Sequence, residues 1–370
     1  MALPEHVQKE RNELVERVVQ DIKEGKPFFW DSGHYGHAPR NGKTEKNYLG
    51  INNLRLMVSS MEHGYKDSRW LTYKQAQEQN ANVKKGEKGT HIEFWDYYKD
   101  KMQQNPATGK WEPVMEPDPK TGEMRKVRVK REVPLVKVYS VFNAEQIEGL
   151  EPEHPITIKD EDRNQHMENM LKNSEAKIYY DQANRNYYDS HSDEIHGMDR
   201  KDFKELEAFY ATYAHEIAHS TGAEKRLNRE TLTQNDGFGG QNYAKEELRA
   251  ELTSMFIAQE YGLKMDESHY QSHAAYLQSW AKALQDDPNE LYRAAADAQK
   301  ATDYIKEKML EKGMKRVAEI AVDVVKGKAA GKPMTMAVAE AVTKQLSPKE
   351  KLKAKMEQGK EKGKGRVIAV

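Results

Sequence analysis

Cysteine is absent from this 370-residue chain, so a thiolate metal site is excluded and any metal ligands must be nitrogen and oxygen donors. No apolar run approaches the roughly eighteen residues that a membrane-spanning helix needs, and Met1-Ala2-Leu3-Pro4-Glu5 leads straight into a charged helix. Neither a transmembrane span nor a secretory signal is therefore expected, and a cytoplasmic protein is the plain reading. Net charge is missing too: 59 Lys+Arg stand against 60 Asp+Glu, a formal −1. The global field does not steer the chain toward phosphate, so any nucleic-acid binding must come from a local basic surface. There is no internal repeat and no phosphate-binding loop, Gly86 to Gly89 being far too short a pattern. What remains is a chain long enough for two domains with separate cores.

The most informative stretch that is present is His215-Glu216-Ile217-Ala218-His219. On a helix, positions i and i+4 lie on one face, so the motif aims two imidazoles at a common point with a carboxylate beside them. Two neutral imidazoles and one further ligand bind Zn²⁺ and leave a fourth position open. Glu216 then serves as the base for an attacking water, the division of labour of a zinc metallopeptidase. Phe203, Leu206, Phe209, Tyr210, Tyr213, Ala214, Ile217 and Ala218 recur at helical spacing, which predicts a helix over 203–220 with a stop at Thr221-Gly222.

The third ligand is expected on a second helix that runs from Tyr243 to about Tyr261. Glu247 begins a face continued by Ala250, Glu251, Ser254 and Ala258, whose mostly small residues let the two helices approach closely. Glu247 is the expected ligand, and Glu251, one turn on, the acceptor for a ligand imidazole N–H. The reverse assignment satisfies the same spacing. Glu246 shares its face with Arg249, Thr253 and Phe256 and looks less suited to a tight metal site. His191 and His196 lack a partner spacing and read as surface residues.

Three segments here, YATYAHEIAHSTGAEKRLNR, YAKEELRAELTSMFIAQEYGL and HAAYLQSWAKAL, resemble the ArdC-type antirestriction proteins of conjugative plasmids, integrative elements and phages. The resemblance extends upstream to PRNGKTEKNYLGINNL, WLTYKQAQ, VKKGEKGTHIEFW and VFNAEQIEGL, in all about residues 5–305. It implies an N-terminal single-stranded-DNA-binding domain followed by a zincin-like metallopeptidase domain. It also implies His215, His219 and Glu247 as metal ligands, Glu216 as catalytic base, and His273 near the site as an oxyanion or outer-sphere group, where a surface or capping histidine is the alternative.

Local features bear on the DNA expectation. Trp30, Trp70, Trp95 and Trp111, four of the five tryptophans, lie in the first 150 residues with Tyr48, Tyr73, Phe94, Tyr97 and Tyr98. Aromatic platforms interleaved with cations hold single strands without sequence preference, although strands favour aromatics for packing as well. Cations come from the turn with Lys84, Lys85 and Lys88, and from 125–131, where Arg128 and Lys130 face outward on an alternating strand. The loop-like segment with Arg40, Asn41, Lys43, Tyr48 and Asn52 is the main expected strand contact, with Trp70 and Tyr73 beside it; a purely structural turn is the alternative.

The fold class expected is α+β: a mixed α+β DNA-binding domain over 1–150, then a mainly helical zincin-like domain with a small sheet over 151–305. The link Glu151-Pro152-Glu153-His154-Pro155 separates them. Residues 5–24 read as an amphipathic helix, Thr90–Tyr98 as a strand, 99–124 as a long hairpin tip, and Ala176–Tyr180 and Tyr187-Tyr188 as strands. Residues 306–370 read as a helical extension and a solvated basic tail, its last 22 residues carrying eight Lys/Arg against three Glu. Two functions follow, and they are compatible. In one, the protein coats transferred single-stranded DNA of a mobile element against restriction. In the other, a zinc endopeptidase cleaves a host or partner protein and DNA binding only localises it. An intact Glu216 argues against a metal that merely staples the fold.

Overall fold

The structure, a computed structural model, describes residues 5–24, 38–119, 121–153, 159–237, 240–263 and 267–310, the side chains of His6 and of 267–276 excepted. Trp30, His154-Pro155, the His273 side chain and the expected tail beyond 310 lie outside them. Among the described residues no helix is long and apolar enough to cross a membrane. The fold is α+β, and it divides into two compact units, Met1–Ile156 with Asp266–Ala296, and Thr157–Met265 with Asp297–Val370.

In the first unit, α1 (Glu5–Lys23) buries Val7, Leu14, Val18, Val19 and Ile22, the apolar stripe its periodicity predicts, and lies against α8 (Glu267–Asp286). A four-stranded sheet has the order β1 (Arg40–Asn41), β2 (Arg69–Thr72), β9 (Arg128–Asn143), β4 (Thr90–Asp100). β1 is parallel to β2 and the other pairs are antiparallel. Leu56 of α2 (Ile51–His63) joins Trp70, Ile92 and Val141 in one buried cluster, with Tyr48 and Tyr65 packed on it. Leu71, Ala76 of α3 (Tyr73–Gln77), Ala81 and Ile147 make a second, below β3 (Asn82–Val83) and β10 (Ile147–Glu148).

A charged knot is set into this unit. Glu93 accepts from Arg11 Nη2 at 2.6 Å and Nε at 3.0 Å, and from Trp95 Nε1 at 3.0 Å. The Arg11 guanidinium lies 3.9 Å from the ring centre of Tyr292, at the start of α9 (Asn289–Ile305), whose hydroxyl accepts from Arg55. The fork of hydrogen bonds on Glu93, the ring face and Glu10, 3.5 Å from Arg55, together compensate the two buried arginines.

Beyond the core β4 and β9 continue as a two-stranded ribbon, with an irregularity between Asp96 and Tyr98. The expected hairpin tip is itself structured, as two small hairpins, β5 (Met102–Gln104) with β6 (Trp111–Pro113) and β7 (Met115–Pro117) with β8 (Met124–Lys126). Asn105 and Asp118 accept from backbone N–H groups two or three residues on, which closes the turns and lets pairing persist through a Pro- and Gly-rich segment.

In the second unit, α4 (Asp160–Lys172) precedes a three-stranded sheet ordered β11 (Lys177–Gln182), β13 (Glu194–Met198), β12 (Tyr187–Asp189). β12 is an edge strand antiparallel to β13. Next come α5 (Leu206–Ser220), the short α6 (Glu230–Thr233) and α7 (Gln241–Tyr261). α5 starts three residues later than its periodicity suggests. Phe203 instead precedes the helix in extended backbone and packs edge-on against Phe209, ring centres 5.4 Å apart, as a staple at the helix entry. α5 and α7 approach through small residues, and Ser254 Oγ donates to the Ala211 carbonyl at 3.4 Å. Gly197 of β13 has no room for a side chain, because the Tyr213 hydroxyl passes beneath it to donate to the Met198 carbonyl at 2.8 Å.

Candidate metal centre

α5 carries His215, Glu216 and His219, α7 carries Glu246, Glu247 and Glu251, and all six are buried. The two imidazoles, one turn apart, meet nearly perpendicular with their Nε2 atoms 3.1 Å apart. Glu247 sets Oε2 3.5 Å from His215 Nε2 and Oε1 3.6 Å from His219 Nε2. One donor from each of the three residues lies within 4.8 Å of the others, the only such group of His, Asp and Glu side chains among the described residues. Donors about 2.0–2.2 Å from a tetrahedral ion stand about 3.3–3.6 Å from one another. The three residues therefore fit a single divalent cation, with one corner left for a reactant.

The far sides of both rings are held by carboxylates. His215 Nδ1 is 2.8 Å from Glu251 Oε2, and His219 Nδ1 is 3.3 Å from Glu246 Oε1. Such contacts fix tautomer and ring orientation, so each Nε2 faces the common point. Burial opposes charge on both rings, yet Glu247 with Glu251 raises His215 well above the usual imidazole range, and Glu247 with Glu246 raises His219 to about 9. Burial likewise opposes ionisation of Glu246, but Arg229 and His219 hold its carboxyl down to about 2. Glu216 differs. Burial pushes its carboxyl up, the two imidazoles pull it down, Glu247 raises it, and the backbone N–H of Tyr188 on the edge strand lowers it. A carboxylate tuned upward and aimed beside the metal point suits a group that takes and returns a proton.

The structure thus brings together His215, Glu216, His219, Glu247 and Glu251. His273 lies on α8, its side chain outside the described residues. His196 is sandwiched between Tyr179 and Tyr187, ring centres 5.1 and 5.4 Å away, and His191 is exposed, so neither joins the site. Sequence reasoning missed Glu246 and Arg229. Glu246 looked ill-suited beside Arg249 and Thr253, and its compensating cation comes from a loop 17 residues earlier. The close packing of Gly222 against the Arg229 guanidinium is the one local trace of that pairing.

The expected DNA contacts fare differently, and several are corrected. Trp70 is fully enclosed, a large ring gaining more from the core than from solvent. Arg40 is buried against Ser68, Glu45 and Glu153, Asn52 exchanges two hydrogen bonds with the Glu93 backbone, and Tyr48 packs on the Trp70 cluster. Asn41 closes its own turn by accepting from Lys43 and Thr44 N–H groups. These four positions of the Arg40–Asn52 segment therefore all have partners within the fold. Tyr73, Lys84, Lys85, Lys88, Arg128 and Lys130 are exposed, as is Lys43, which pairs with Glu78 at 2.5 Å; Arg128 pairs with Asp96 at 3.0 Å.

Asp193, in the turn between β12 and β13, joins the edge strand to the loop after α5. It accepts from Tyr188 Oη at 2.7 Å and pairs with Lys225 and Arg226. Burial works against its charge, but the two cations hold the carboxyl well below the usual range. Asp193→Asn is expected to cost about 1–2 kcal/mol of stability, this group being partly exposed. The sign follows from the lowered folded pKa: the contribution is present above the unfolded value of about 3.9 and fades as pH falls below it. Unfolding midpoints of parent and variant should differ at pH 7, and the gap should close only as pH falls through the lowered folded pKa, well below the usual carboxylate range; a constant gap refutes the ionic origin.

Residues 8–142 match the N-terminal domain of the anti-restriction factor ArdC, and residues 165–297 match a zincin-like metallopeptidase family. The chain is 40% identical over 301 residues to the DNA primase TraC of Escherichia coli, covering 79% of this chain but 26% of the primase. It therefore spans about a quarter of that relative's length. It is 29% identical over 275 residues to the uncharacterized protein y4eC of Sinorhizobium fredii, covering 74% and 83% of the two. Crystal structures of the antirestriction protein ArdC from plasmid R388, one metal-free and one Mn(II)-bound, are similar at TM-score 0.60 and 30% identity, over 80% of this chain and 97% of theirs. With both domains matched in order and a solved ArdC covered almost end to end, the chain belongs to the ArdC antirestriction family.

Proposed function

We propose that this protein binds single-stranded DNA without sequence preference and shields DNA arriving with a mobile element from restriction in the cytoplasm. In this reading its second unit holds Zn²⁺ on His215, His219 and Glu247 as a metallopeptidase. The observation that carries the enzymatic half is the convergence of those three side chains with Glu216 buried alongside. Mn(II) in the R388 relative supports a divalent metal, and the N₂O donor set suits zinc. The DNA half is supported by the ArdC N-terminal domain and by a relative named as a DNA primase, whose priming activity is not carried over.

When bound, zinc supplies Lewis-acid activation of a water and a carbonyl. The chain's own groups do the rest. Glu216 accepts the proton of the attacking water and returns it to the leaving amine, its carboxyl kept basic enough by burial. Glu251 and Glu246 keep the imidazoles oriented. The edge strand β12, packed beside α5, offers its open side to an extended peptide.

The intact, buried Glu216 favours a second reading, in which cleavage of a host or partner protein is the protective act. One comparison separates the two. Cells carrying the Glu216→Gln variant should protect incoming DNA from restriction as well as the parent does if shielding is the function, and should lose protection if proteolysis is. With either result, the full chain should bind single strands more tightly than duplex and lose affinity steeply with salt. Equal affinity for both DNA forms would sink the DNA-binding reading.

A further inference from the structure

The loop between α5 and α6 does more than connect helices. After α5 ends, Thr221 to Arg229 folds back on itself: Leu227 N–H donates to the Thr221 carbonyl and Arg229 N–H to the Gly222 carbonyl, both at 2.9 Å. This returns the Arg229 side chain under the C-terminal turn of the His-bearing helix. There Nη2 donates to the Ala218 carbonyl at 2.8 Å and the His219 carbonyl at 3.3 Å, and Nη1 donates to Thr221 Oγ1 at 2.6 Å. The same guanidinium grips Glu246 of α7, Nη2 to Oε1 at 2.5 Å and Nε to Oε2 at 3.1 Å. Thr231 Oγ1 adds a third bond to Oε2 at 2.6 Å, and Oε1 faces His219 Nδ1.

We infer that Arg229 is a positioning residue for the metal centre: it braces α5 to α7 and, through Glu246, fixes the direction in which His219 presents Nε2. Three features support a built device over a stray ion pair. First, one planar fork satisfies a carboxylate on one helix and main-chain carbonyls on the other, a geometry that lysine cannot reproduce. Second, Glu246 and Arg229 are both buried, so each is compensated only by the other and by these bonds. Third, Gly222 makes room for it: a β-carbon there would stand 2.7–3.0 Å from the Arg229 guanidinium. Its backbone lies outside the left-handed region, so space, not conformational freedom, is what this glycine supplies. On the His219 side the outer carboxylate, Glu246, is itself held by a third element, the 221–231 loop.

The inference rests on the metal reading above, and the test keeps the two apart. Zn²⁺ affinity of the full chain is measured by chelator competition, with circular dichroism to show that each variant is folded. The visible spectrum of the Co²⁺-substituted protein reports ligand geometry. Arg229→Met and Arg229→Lys should each weaken Zn²⁺ binding about 10- to 100-fold, the usual cost of losing an outer-sphere partner, and shift the Co²⁺ bands. Glu246→Gln should weaken it comparably, and Arg229→Met/Glu246→Gln should be no worse than Arg229→Met alone, because both act along one chain of contacts. Should Arg229→Met fail to fold, Gly222→Ala, which displaces the guanidinium without removing a charge, should still give a folded protein with weakened Zn²⁺ binding. Folded Arg229 or Gly222 variants with parental Zn²⁺ affinity and an unshifted Co²⁺ spectrum overturn the inference. A parent that binds no Zn²⁺ overturns the metal reading instead.

Discussion

His215→Ala and His219→Ala are each expected to bring the metal content of the purified protein from about one ion per chain to none, while Glu216→Gln leaves it unchanged. Each histidine is one of three donors, and an Ala leaves only two in the buried site. The loss is therefore of binding outright rather than a modest weakening. Glu216 is not among the three converging donors, so its amide variant keeps the site. Stripping the parent with a chelator should lower its thermal midpoint by several degrees, since a ligand at about 100 times its dissociation constant stabilises by about 2.7 kcal/mol. The His variants should sit at the stripped midpoint and not respond to added Zn²⁺. Elemental analysis and melting curves with and without metal check both statements; undiminished metal in His215→Ala would remove that residue from the site.

How far the centre could be read from sequence divides along locality. The pair His215/His219 and the face through Glu247 and Glu251 are periodic on single helices, so spacing alone arranges them. That α5 and α7 meet followed from the small residues Ala250, Ser254 and Ala258. Glu246 was not legible in the same way. Its suitability depends on Arg229, which reaches it only because the loop turns back beneath α5. Spacing along one helix carries no trace of a partner delivered from outside it.

The first unit shows the converse difficulty. Strand register makes aromatic and basic residues alternate, but alternation does not say which face is covered. Trp70 and Asn52 sit where the sheet meets α2 and the charged knot, and there they serve the fold. Phe94, Tyr97 and Tyr98 belong to the part of β4 that runs past the core, Tyr139 lies at its margin opposite the buried Ile92, and all four stay exposed. The strand from Thr90 and the alternation of 126–130 were both legible; the point at which the ribbon leaves its cover was not.

That exposed stretch sets the second large effect expected. Phe94 pairs in register with Lys137 and Ile92 with Tyr139, so these residues share a face, and the rings of Phe94 and Tyr139 meet edge-on at 6.4 Å. Phe94 is 52% and Tyr139 42% exposed, so about half of each ring is open to a ligand. Lys137 beside them has no acidic partner among the described residues, while Asp96 further along is already answered by Arg128 and Arg131. Two rings in contact across neighbouring strands, with Lys137 directly opposite Phe94, offer bases a stacking surface and phosphates a counter-charge. Phe94→Ala and Tyr139→Ala in the full chain should therefore each weaken single-strand binding roughly five- to 150-fold, about 1–3 kcal/mol per stacked base, and leave the melting temperature nearly unchanged. Lys137→Ala should act differently, lowering the slope of log affinity against log salt by about 0.7 with a smaller loss at low salt. Anisotropy titrations of a labelled oligonucleotide at two salt concentrations distinguish the ring and charge contributions. If all three variants bind within twofold of the parent, the strand lies elsewhere, and the exposed cations Lys84, Lys85 and Lys88 around Gly86 become the surface to replace next.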